Sequence, residues 1–82
     1  MNRREEKAMG LGMKKTDELV KIASAGGGFA MEGGRRTTDE LTKIAAAAKR
    51  SGATVIFRNM VVRKTDDLVK IAAAGKGHVI FE

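Results

Sequence analysis

The sequence predicts an α/β protein: a two-layer stack of three tandem helix-strand repeats, with a small, mainly parallel sheet of three or four strands and the helices on one face. Two observations carry this expectation. The same ten residues occur three times, as TDELVKIASA from Thr16, TDELTKIAAA from Thr38 and TDDLVKIAAA from Thr65, and any two copies agree at eight of ten positions. Each copy has helical periodicity and is followed by a short run with the period-two alternation of a strand. The offsets of 22 and 27 residues lie in the range of repeat architectures, and they divide a single domain of 82 residues into units of about 9–33, 34–59 and 60–82.

Taken in chain order, Asn2 to Lys7 carry charges of both signs and read as a solvated arm. Met9, Leu11 and Met13 have the spacing of a fourth strand, although Met9 and Met13 also fit one helical face. In the first copy Leu19, Ile22, Ala23 and Gly26 stand at i, i+3, i+4 and i+7, as do Leu41, Ile44, Ala45 and Ala48 in the second and Leu68, Ile71, Ala72 and Gly75 in the third. Each set makes one apolar stripe on a helix. Thr16, Thr38 and Thr65 are expected N-caps, followed by acidic residues that suit the positive end of the helix dipole, and Thr37 with Glu40 offers an alternative capping box. Glycines at 26 to 28, 52, 75 and 77 are expected helix stops. Asp17 with Lys21, Asp39 with Lys43 and Asp66 with Lys70 are spaced as i,i+4 ion pairs.

The strands are expected at Phe29 to Met31, Thr54 to Arg58 and His78 to Phe81. Alternation puts Phe29, Met31, Val55, Phe57, Val79 and Phe81 on one face and Ala30, Ile56 and Ile80 on the other. Helices between successive strands favour parallel pairing, with every helix on the same side. The second face is then left bare, whereas parallel sheets are usually covered on both sides. The N-terminal segment, Met60 to Val62 or a second copy of the chain are the candidates to cover it. Met31 is expected in the core, and Met9, Met13 and Met60 at an interface.

Composition sharpens the expectation of self-association. Leu, Ile, Val and Phe number only 18 of 82 residues, and there is no cysteine to supply a disulfide or a thiolate-metal staple. Together with free sheet edges, this predicts a homo-oligomer with Ala30, Ile56 and Ile80 as interface residues. The longest stretch without charge, Ile22 to Met31, is too short to cross a bilayer as a helix, so no membrane segment is expected and the cytoplasm is the expected compartment.

Sixteen Lys and Arg against ten Asp and Glu give a net charge of +6, which favours polyanionic partners. A basic pair precedes each helix: Lys14 and Lys15, Arg35 and Arg36, Arg63 and Lys64. Three such pairs beside helix N-termini would make a phosphate-contacting stripe, which gives nucleic-acid binding as the alternative function. The acids in each first turn oppose it, and three Phe with no Tyr or Trp give little for base stacking. The phosphate-loop pattern G-x-x-x-x-G-K-[ST] is not met, His78 stands alone without cysteines to complete a metal site, and the carboxylates sit at helix starts rather than across a cleft. No catalytic residue, metal or cofactor is expected. The leading expectation is therefore a non-enzymatic assembly or interaction module.

Overall fold

The structure, a computed structural model, describes residues 14–82. Helices and strands alternate: α1 (Thr16–Ser24), β1 (Phe29–Glu32), α2 (Thr38–Ser51), β2 (Val55–Arg58), α3 (Thr65–Gly75) and β3 (Val79–Phe81). The strands form one parallel sheet in the order β1-β2-β3, with Ala30 opposite Ile56 and Ile56 opposite Ile80. The α/β class and the repeat layout read from the sequence are what is found. The fourth strand proposed at Met9 to Met13 lies outside the described residues.

Met31, Val55 and Phe57 point from the sheet into a core closed by Leu19, Ala23, Leu41, Ile44, Ala45 and Ile71 from the three helices. The helix α2 packs against both α1 and α3. Burial of equivalent positions shows which way each faces. Thr, Leu and Ala of the first and second copies turn toward the following repeat: Leu19, Ala23, Leu41 and Ala45 are buried, whereas Leu68 is only partly buried and Ala72 is exposed, because no repeat follows α3 among the described residues. The isoleucine turns the other way. Ile44 and Ile71 are buried against the preceding helix, and Ile22, which has none among the described residues, is partly exposed. Each repeat thus has a forward side and a backward side, and the narrow alanine surfaces let neighbouring helices approach closely.

Four local expectations need correction. The N-caps are Lys15, Thr37 and Lys64, so Thr16, Thr38 and Thr65 are the first helical residues. Only α2 has a hydroxyl cap: Glu40 N–H donates to Thr37 Oγ1 at 3.2 Å and Thr37 N–H donates to Glu40 Oε1 at 2.9 Å. The hydroxyls of Thr16 and Thr38 are engaged in contacts between repeats instead. Second, Gly52 (φ 85°) ends α2 in the left-handed region as expected, but Gly75 is a buried residue inside α3. A Cβ there would stand 2.3 Å from Val79 Cγ2 and 3.3 Å from Ala45 Cβ, so this glycine lets α3 sit against β3 and α2; Lys76 (φ 40°) makes the stop.

Third, Lys70 Nζ reaches Asp39 of the preceding helix at 3.2 Å rather than Asp66 of its own, and no ion pair of the i,i+4 kind forms among the described residues. Fourth, Met60 is neither an interface residue nor a cover for the second sheet face. It is 1% exposed and enters the core above Gly33, where a Cβ would lie 2.6 Å from its sulfur. Its N–H donates to the Glu82 carbonyl, which turns it inward, and Val61 and Val62 are left exposed in the loop that follows.

Candidate functional site

Two surfaces hold the residues singled out from the sequence. The first is the sheet face away from the helices. Alternation along each strand puts Ala30, Ile56 and Ile80 there, and the parallel register aligns them as one row across three strands. Ala30 and Ile56 are half-buried and Ile80 is 46% exposed. The helices lie on the opposite face, where Met31, Val55 and Phe57 join them in the core. One step along, Glu32, Arg58 and Glu82 form a second row of alternating charge, in which Arg58 Nε donates to Glu82 Oε1 at 3.2 Å. An apolar strip bordered by mixed charge is the ordinary anatomy of a protein interface: a dry centre and a polar rim.

The second surface is the rim where the strands end and the helices begin, the usual ligand edge of an open α/β sheet. An open groove of about 380 Å³ lies there between the β1-α2 and β2-α3 loops, lined by Gly34, Arg35, Arg36, Thr37, Val62, Arg63, Lys64 and Asp67. The six basic residues do not form equivalent pairs. Counting back from the threonine that opens each helix, the second residue before it is Lys14, Arg36 or Arg63; the residue immediately before is Lys15, Thr37 or Lys64; and Arg35 lies one step further out.

The two arginines of the first set do the same thing in successive repeats. Arg36 Nη1 donates to Thr16 Oγ1 at 2.8 Å and its Nη2 donates to the Lys14 carbonyl. Arg63 Nη1 donates to Thr38 Oγ1 at 2.8 Å, and its Nη2 donates to the Arg36 carbonyl and, at 2.9 Å, to the Gly33 carbonyl. Each guanidinium reaches back across the repeat boundary and grips the preceding helix at its first residue, a use that needs the planar fork of arginine. Thr16 passes the contact on, donating to Glu40 Oε2 at 3.0 Å. The Thr37 backbone N–H, aided by the hydroxyls of Thr16 and Thr37 and the nearby charge of Arg36, holds the Glu40 carboxyl below its ordinary range.

This ladder was not foreseen from the sequence, although a signal for it exists. The position two before the threonine carries Arg in the second and third repeats, each of which has a predecessor to grip, and Lys in the first. Arg36 and Arg63 are therefore largely committed to holding the repeats together, and the exposed cations left on the rim are Lys14, Lys15, Arg35 and Lys64. The acids of the first turns stay beside them, with Asp67 in the groove itself.

No protein-family model, curated protein or solved structure matches the chain. No helix among the described residues is long and apolar enough to cross a membrane.

Proposed function

We propose that this protein is a non-enzymatic assembly module of the cytoplasm that self-associates through the outer face of its sheet. The observation that carries the reading is the registered row Ala30, Ile56 and Ile80, an apolar strip on the sheet face opposite the helices, with Ile80 46% exposed. The adjoining Glu32, Arg58 and Glu82 supply charges of both signs, so two such faces can meet without like-charge repulsion along the whole rim. Ile80→Lys and Ile56→Lys, each checked by circular dichroism for retained helix, should lower the particle mass measured by sedimentation velocity. Variants that keep the wild-type mass and stability would refute the interface.

A second reading, polyanion binding, draws its support from the groove, where Arg35 and Lys64 are exposed on facing loops and Arg63 Nε is buried without a hydrogen-bond partner. It predicts weak sequence preference and a steep loss of affinity with salt. Replacing Lys14, Lys15, Arg35 and Lys64 with alanine leaves both arginine grips intact and should flatten that salt dependence. Unchanged affinity in this variant would dispose of the reading.

A further inference from the structure

We infer that the forward side of the third repeat is a seat for the first repeat of a second copy, so that chains can stack head to tail in continuation of their own repeat series. The seat is distinct from the outer sheet face and does not depend on it. Thr65, Leu68, Val69 and Ala72 stand at i, i+3, i+4 and i+7 of α3, on the side that in α1 and α2 faces the next helix. The counterparts of Leu68 and Ala72, which are Leu19, Leu41, Ala23 and Ala45, are fully buried and those of Thr65 and Val69 partly buried, whereas in α3 Leu68 is partly buried, Val69 is 60% exposed, and Thr65 and Ala72 are exposed. Beside them β3 has a sheet neighbour on one edge only among the described residues.

The polar contacts identify the occupant. The ladder takes one threonine hydroxyl and one carbonyl from each repeat: Thr16 Oγ1 with the Lys14 carbonyl, then Thr38 Oγ1 with the Arg36 carbonyl. The next members of this series are Thr65 Oγ1 and the Arg63 carbonyl, and neither accepts a side-chain hydrogen bond among the described residues. What fits is a backward side, a helix preceded by a cation two residues before its threonine. Among the described residues one such side has no helical neighbour, that of α1, where Lys14 stands at the position of Arg36 and Arg63, and where Ile22 is partly exposed and Ala25 exposed at the positions of the buried Ile44 and Ala47. The outer edge of β1, which pairs only with β2 among the described strands, would continue the sheet from β3. Lys14 brings a point charge where arginine brings a fork, so the seam between chains is weaker than the seams within one, and association is reversible. Because the two surfaces differ, the contact is heterologous and does not close on itself at two copies.

The test uses the full chain carrying Ile80→Lys, which takes the outer sheet face out of play, followed by sedimentation velocity over a hundredfold concentration range. Mass should rise with concentration without stopping at a dimer, and Lys14→Arg should shift that rise to several-fold lower concentration. Ala72→Glu blocks the seat and Ala25→Glu blocks the side that enters it, both at exposed positions. Each variant alone should stay monomeric, and an equimolar mixture should give a one-to-one dimer and nothing larger, since one good seat and one good backward side remain between them. A folded Ile80→Lys protein that is monomeric throughout would overturn the inference. So would an Ala72→Glu variant that associates as readily as its parent, or a mixture that forms no dimer.

Discussion

The second and third repeats carry nearly the same ten residues and lead different lives. In α2 the stripe Leu41, Ile44, Ala45 and Ala48 is buried throughout, because a helix lies on either flank and a sheet beneath. In α3 only Ile71 and Gly75 of the matching stripe are buried, Leu68 is partly covered, and Ala72 is exposed. The sequence of a repeat sets which residues can be buried; its place in the stack decides which of them are. Stability should therefore be concentrated in the middle repeat, and equivalent substitutions should cost different amounts.

The largest difference is expected for isoleucine. Ile44→Ala removes a side chain with no exposure and should cost about 3 to 4 kcal/mol, whereas Ile22→Ala, at a partly exposed position, should cost about half that or less in urea unfolding. Equal costs would mean that the outer repeat is as well packed as the middle one. Next comes the close approach at Gly75, where alanine would place a methyl group 2.3 Å from Val79 Cγ2. Gly75→Ala should destabilise by about 1 to 3 kcal/mol despite its better helix propensity, and a stabilised variant would show that α3 is not tightly seated.

The ladder makes a finer contrast between adjacent cations. Arg63→Ala leaves Thr38 and two carbonyls without their donor and should cost about 1.5 to 3 kcal/mol, while Lys64→Ala next to it should stay within about 0.5 kcal/mol of the wild type. Arg63→Lys should recover only part of the loss, since one ammonium cannot replace the fork.

The smallest effect concerns Glu40. Its carboxyl titrates below the ordinary range in the folded protein, chiefly through the Thr37 N–H, so its contribution is complete above the unfolded carboxylate pKa and is lost as pH falls through the lower folded value. Thermal melts of the wild type and Glu40→Gln should thus differ at neutral pH and converge in acid. A gap that is constant across that range would contradict the direction of the shift.

Much of this fold was legible because repetition prints the same signals three times. The stripes at Leu19, Leu41 and Leu68 and the alternation around Phe57 announced helices and strands whose boundaries moved by no more than a residue or two at most ends. The local errors share a cause, which is that spacing along one helix is blind to the neighbouring helix. Thr38 looked like a cap because acids follow it, yet its hydroxyl accepts from Arg63; Lys70 had an aspartate four residues before it, yet pairs with Asp39 of the preceding helix. Gly75 looked like a stop because glycine usually is one after an alanine run, and only the position of Val79 reveals the packing reason. The outer row of Ala30, Ile56 and Ile80 was readable in advance, since a strand's alternation alone assigns its faces. The forward and backward sides were not, because they exist only once the helices lie next to one another.

The most direct test of the central claim, that the outer sheet face assembles copies of this chain, is sedimentation velocity of the wild type and Ile80→Lys, alone and with a labelled nucleic acid, at about 50 and 200 mM salt, a range over which phosphate contacts weaken steeply. The wild-type particle should be heavier than one chain, lightened by Ile80→Lys and indifferent to nucleic acid at the higher salt. A wild type that sediments as a single chain, or that co-sediments with nucleic acid at 200 mM salt while Ile80→Lys changes nothing, would contradict that claim and move the function to the basic rim.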